Sequence, residues 1–155
     1  MVKMVGSALE SLIRESNLEP ASCVLRHVTS TSRVIVAAFD AALSPAGLTG
    51  HQFNLLMTLA RSGPMNVNGL AAAVGMHPST TPRVTAPLAR DGLIRIQAGT
   101  DRRERLLAIT RKGIERLSRA YPRWAQVQRE IVNRLGDQEW SSAMRSLKDI
   151  RRFAR

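Results

Sequence analysis

Sulfur for cross-linking is almost missing from this chain: one cysteine, Cys23, stands among 155 residues. A single thiol cannot make an internal disulfide, which excludes a disulfide-stapled secreted scaffold and favours a reducing, cytoplasmic setting. Three histidines and that cysteine fall at no metal-ligand spacing, so neither a structural metal nor another cofactor is expected. No stretch approaches the roughly 18 apolar residues of a membrane span. The first residues carry only Lys3 ahead of a short apolar patch, with Glu10 and Glu15 following, which is not a secretory signal. Ser, His and Asp occur, but in no nucleophile elbow and no glycine-rich phosphate loop, so nothing marks an enzyme. Acidic residues are also scarce, 12 against 23 basic, leaving a net charge of +11. That surplus is silent about fold but favours an anionic partner: nucleic acid, a membrane surface or a charged ligand. The plain alternative is a merely solvated basic surface.

What is present is mostly helical period. Residues 1–19 read as a tail or a short helix, with Ser7 and Glu10 at capping-box spacing, broken at Asn17-Leu18-Glu19-Pro20. From Ala21 to Leu43 the apolar residues Leu25, Val28, Ile35 and Phe39 recur at helical steps, and Val34, Ala38 and Ala41 widen the stripe. Thr49, with Gln52 three residues on, caps a second helix whose Phe53, Leu55, Leu56 and Leu59 face inward. Val67 reads as a strand stub, and Asn68 as the cap of a short helix, Leu70 to Val74, stopped by Gly75. His77-Pro78-Ser79-Thr80 opens the next helix, to about Arg90, with Pro78 at its first position. Leu93 to Ile96 and Arg105 to Ile109 form a hairpin. Thr110 then caps a long helix with Ile114, Leu117, Tyr121, Trp124, Val127, Ile131 and Leu135 in phase, kinked at Pro122. After Gly136, Asp137 caps a last helix with Trp140, Met144, Leu147 and Ile150 inward.

This order predicts a mainly α fold with a small β-hairpin wing. A winged helix-turn-helix DNA-binding domain occupies 49–113, and 20–48 with 114–155 form a helical dimerisation region. The outer helices are too long and too apolar for the winged core to bury, so a second copy of the chain is expected to cover them.

A helix-turn-helix sets its second helix in the major groove, side chains near its start meeting base edges. Here those are His77, Ser79, Thr80, Thr81 and Arg83. The hairpin tip carries Arg102, Arg103 and Arg105, which suit the negative potential of a narrow minor groove. A carboxylate is repelled by phosphate, so Asp101 has an internal task, holding an arginine extended. A protein-interaction module without DNA binding is the rival class, and the arginine-rich wing argues against it.

These residues resemble the MarR family of transcriptional regulators. The wing reads Asp101-Arg102-Arg103, five residues, then Ile109-Thr110-Arg111-Lys112-Gly113, with isoleucine where the family has leucine. Gly47-Leu48-Thr49, Gln52-Phe53, Leu70-Ala71, Gly75, Leu88 and Gly92-Leu93 fit as well, and the likeness runs from about residue 22 to the end. The resemblance implies a homodimer built from the long first helix and the last two, an inverted-repeat operator in double-stranded DNA, and Arg103 in the minor groove paired with Asp101. It also implies repression relieved by a small aromatic or phenolic effector. His27, Ser30 and Arg33 on one side of the first helix, with His51 at the start of the second, form a candidate polar pocket for such a carboxylate, or simply a solvated surface.

Two departures bear on mechanism. Pro82 and Pro87 fall within the recognition helix, where proline removes a donor and crowds the preceding turn. Either the helix kinks, or its first turn is irregular and Pro82 begins the regular part. Cys23 raises a thiol-based redox alternative, with Arg26 and His27 near enough to activate it. Yet the position matching the cysteine of the hydroperoxide-sensing branch is Leu25, and Phe39 stands where that branch has tyrosine.

Overall fold

The computed structural model describes residues 2–18, 20–99 and 105–153. Two compact units divide the chain, Met1–Ala37 and Ala38–Arg155.

In the first unit, α1 spans Val2–Ser16. Ser7 therefore lies inside the helix, five residues after its start. No proline interrupts residues 2–16, and the helix extends upstream of the expected start. Its end is built by Ser16, whose hydroxyl donates to the Ile13 carbonyl at 3.0 Å, and by Asn17 at φ 52°, a left-handed position asparagine tolerates. Pro20–Ser22 form a 3₁₀ turn, so α2 (Val24–Leu43) starts later than the periodicity predicts. The Arg26 guanidinium donates to the Ala21 carbonyl at 2.8 Å, and His27 Nε2 lies 2.8 Å from the same oxygen. The apolar stripe of α2 stays open: Leu25 is 73% exposed and Val34 69%.

The division between units falls inside α2, whose last turn anchors the second unit through half-buried Phe39 and fully buried Leu43. A 3₁₀ turn, Ser44–Ala46, ends at Gly47, whose φ of 67° favours glycine. The expected capping box then opens α3 (Gly50–Ser62): Thr49 Oγ1 accepts from the Gln52 N–H at 3.2 Å, and Gln52 Oε1 from the Thr49 N–H at 3.0 Å. The carboxylate of Asp40 accepts from the Gly50 N–H at 2.7 Å, so a further orphan donor of the helix start is satisfied. Helix α4 spans Val67–Val74 and is capped by Asn66, not Asn68, because the Asn66 side chain reaches the Gly69 N–H at 2.8 Å. The expected strand stub accordingly falls two residues earlier: Met65, rather than Val67, bridges Leu107.

Helix α5 is Thr81–Arg90. Leu93, expected to begin the first strand, instead closes that helix, its N–H donating to the Leu88 carbonyl at 2.8 Å. Strands β1 (Ile94–Ala98) and β2 (Arg105–Ile109) pair antiparallel, from Ile94 opposite Ile109 to Ala98 opposite Arg105. Thr110 links wing to helix: its hydroxyl donates to the Gly92 carbonyl at 2.7 Å and accepts from the Gly113 N–H at 3.0 Å. Helix α6 (Arg111–Leu135) runs through Pro122 without ending, and α7 (Asp137–Phe153) follows Gly136.

The core of this unit is mainly aliphatic: Leu43, Leu48, Leu55, Leu56, Leu59, Leu70, Leu88 and Leu93 with Phe53. Each such leucine contributes roughly 1.5–3 kcal/mol on leaving water. Phe53 stacks on Trp124 at a centroid distance of 5.6 Å, fixing α6 to α3. The expectation that α7 turns Leu147 and Ile150 inward fails in the single chain, where they are 48% and 44% exposed. Ile114, Tyr121 and Leu135 on α6 are likewise exposed.

Candidate nucleic-acid interface

The second unit holds the helix-turn-helix, α4 followed by α5. Gly75 ends α4 at φ 72°, its N–H donating to the Ala71 and Ala72 carbonyls. Pro78 keeps the preceding His77 out of helical geometry, and His77 to Thr80 form a turn closed by the Thr80 N–H donating to the His77 carbonyl at 2.9 Å. The His77 ring is held inside it, with Nδ1 2.7 Å from the Ser79 hydroxyl and accepting from the Ser79 N–H at 3.3 Å.

Regular helix begins only at Thr81, so Pro82 stands in the first turn, where its missing N–H is one that an α-helix leaves unpaired anyway. Pro78 is then outside the helix. Of the two geometries open from sequence, the irregular start is the one adopted. Pro87 is interior and leaves the Arg83 carbonyl without its helical donor. The buried Thr85 hydroxyl donates one turn back, to the Thr81 carbonyl at 3.0 Å, which satisfies that side chain within its own helix.

The site residues sort by burial. His77, Ser79 and Arg83 are exposed, and Thr80 is half-buried with no capping bond from its side chain. Thr81 requires correction: it is fully buried, its hydroxyl 3.4 Å from the His77 carbonyl, and it anchors the helix beside Thr85 and Leu88 rather than facing a groove. A hydroxyl in a helix start can turn either way, and only the true start position decides. The outer face of α5 also carries Ala86, Ala89 and Arg90, all exposed. The sequence reading missed Ala86 and Arg90, though they stand three and seven residues after Arg83, on the same face. Arg90 lies 4.0 Å from Asp91, an exposed pair of little energetic weight.

In the wing, Arg105 is exposed at the far end of the hairpin, opposite Ala98. Asp101, Arg102 and Arg103 lie outside the described residues. Arg95 on β1 is a further exposed cation that the sequence reading did not single out.

The candidate effector residues divide between the two units. His27 is engaged with the Ala21 carbonyl, Ser30 and Arg33 are exposed on α2, and His51, exposed on α3, belongs to the other unit. Cys23 is exposed, just ahead of α2, and its carbonyl accepts from the His27 N–H at 3.2 Å. Among the described residues no cluster of His, Cys, Asp or Glu could hold a metal ion, and no single helix is long and apolar enough to cross a membrane.

Comparison with known proteins fits this geometry. Residues 48–104 match the MarR family, a span that includes the helix-turn-helix and β1. The transcriptional regulator MosR of M. tuberculosis is 32% identical, with 86% of this chain and 96% of that one covered at a TM-score of 0.76. MosR has also been solved in complex with DNA, and that structure superposes at a TM-score of 0.77. An HTH-type transcriptional regulator of Bacillus subtilis, YwoH, is 21% identical over 75% of this chain and 85% of its own. BpsR of Bordetella bronchiseptica shares the fold at 20% identity, with 86% and 96% covered and a TM-score of 0.77. The chain belongs to the MarR family of transcriptional regulators and is a DNA-binding winged helix-turn-helix protein.

Proposed function

We propose that two copies of the chain act together as a repressor on an inverted-repeat operator, and that a small ligand relieves the repression. The turn from His77 to Thr80 carries this reading. It offers His77, Ser79 and Arg83 to solvent at the start of α5 while Thr81, Thr85 and Leu88 hold the helix down, the arrangement a recognition helix needs to meet base edges. Arg83 is the residue for guanine or phosphate, and a bidentate base contact discriminates by about 1–3 kcal/mol. Arg103, steadied by Asp101, takes the minor groove, with Arg102 and Arg105 on flanking phosphates. The open apolar stripes of α2, α6 and α7 are the surface for the second copy. Ligand control draws support from BpsR, whose DNA binding is regulated by 6-hydroxynicotinic acid.

A mobility-shift titration against the DNA upstream of its own gene tests the reading. Binding should fall steeply with salt, because each phosphate contact releases a counterion. Arg103→Ala should weaken binding to most sequences, whereas Arg83→Ala should change the preferred sequence. Wild-type affinity in Arg103→Ala would remove the wing assignment. A Cys23→Ser protein that still releases DNA under peroxide would dismiss the thiol alternative.

A further inference from the structure

Apart from the helix-turn-helix, the second unit contains a cavity of about 450 Å³ lined by Pro45, Ala46, Gly47, Arg116, Arg119 and Arg123. Ligand sites of this size are common, but most have apolar walls with a few polar groups. Here three guanidinium groups supply the wall and no carboxylate does. The arginines recur at steps of three and four on α6, so they share one face of the helix. The opposite wall is the 3₁₀ turn and its terminal glycine.

That wall is shaped for the arginines. Arg116 donates to the Ala46 carbonyl at 3.2 Å and is half-buried. A Cβ at residue 47 would stand 2.8 Å from Arg116 Nη1, so a larger residue there would push the end of the arginine side chain aside. The hydrogen bond to Ala46 holds Arg116 against the turn. Arg119 and Arg123 are exposed, and among the described residues no acidic side chain pairs with either. Three adjacent cations repel one another, and a multivalent anion in the recess relieves that repulsion while accepting forked hydrogen bonds from guanidinium.

We propose that this recess binds a compact, multiply charged oxyanion, a phosphate ester or a polycarboxylate, through Arg119 and Arg123 with Arg116 as the preset floor. An aromatic or phenolic compound would find little apolar wall here. The recess also adjoins the turn leading into the Thr49 cap of α3, so its occupant sits against the entry to the winged domain.

The test is isothermal titration of the full-length protein, without DNA and at fixed ionic strength, with inorganic pyrophosphate and with citrate. Acetate and chloride serve as controls. At least one of the two probes should bind saturably, one per chain, which also tells the phosphate source from the carboxylate source. Arg119→Gln and Arg123→Gln should each weaken it by about tenfold, as expected for losing a charge-assisted contact. Arg119→Lys should fall between, since it keeps the charge and loses the fork. Neither side chain makes a described contact, so thermal unfolding of these variants should match wild type. Failure of both probes to saturate, or undiminished binding in the double variant, overturns the proposal. So does the finding that the arginines are backbone contacts: a loss of duplex affinity in anion-free buffer, with a salt slope lowered by about one per arginine and unchanged anion titrations. Because the titration omits DNA, it stands or falls separately from the operator reading.

Discussion

Leu55, Leu56 and Leu70 in the second unit are completely buried, while Leu25 and Val34 in the first are more than two-thirds exposed. All five lie on helices with the same kind of apolar period. The difference is closure. In the second unit α3, α4, α5 and the hairpin surround one another, so each stripe meets another from the same chain. In the first unit the stripe of α2 is equally regular, yet Leu25 and Val34 on it stay exposed. Period identifies which side of a helix is apolar; it does not say whether the cover comes from the same polypeptide.

This contrast can be broken most forcefully at its centre. Leu56→Ala is expected to lower the stability of the second unit by about 2–5 kcal/mol, the range for emptying a buried leucine site. Thermal or urea unfolding should show that loss at every protein concentration. Leu25→Asp should act in the opposite manner. It should leave unfolding of the winged unit in place but weaken self-association by about tenfold or more, since an unpaired carboxylate would enter the proposed interface. Sedimentation equilibrium reads the change, and an unaltered association constant would mean that α2 is not part of a dimer contact.

Smaller effects sharpen the picture inside the winged unit. A Cβ on Gly113 would meet the Leu93 carbonyl oxygen and stand 2.7 Å from Ile109 Cγ1. Gly113→Ala should therefore cost about 1–3 kcal/mol through overpacking, visible as a lower midpoint in urea. Least of all, Thr49→Ala should cost about 1 kcal/mol by removing one half of the capping box. Thr49→Ser, which keeps the hydroxyl, should recover most of it.

Much of the fold was legible because local chemistry and tertiary packing agree in the second unit. Thr49 with Gln52, Gly75, and Thr110 behave as their residue types suggest, and the hairpin forms with Arg105 to Ile109 as its returning strand. The misplacements share a cause. Asn66 and Asn68 are equally good caps by type, and only the bridge from Met65 to Leu107 selects the first. Thr81 has the composition of a groove residue, but the irregular turn shifts the helix start and rotates it into the core. The candidate site was legible as a stretch of chain and a set of exposed polar groups, not as a particular constellation. Arg90 and Ala86 could be placed on it only once α5 had a fixed start, and the arginine recess joins residues about seventy positions apart, a proximity no local pattern encodes.

The two prolines of α5 have a consequence for the unfolded chain. Each pyrrolidine ring holds φ near −65° before any folding occurs, so this segment has fewer conformations to surrender when it orders. Rigidity at Pro82 and Pro87 is thus covalent, not borrowed from the hydrogen-bond ladder. A helix stiffened in that way meets its target with little ordering entropy left to lose.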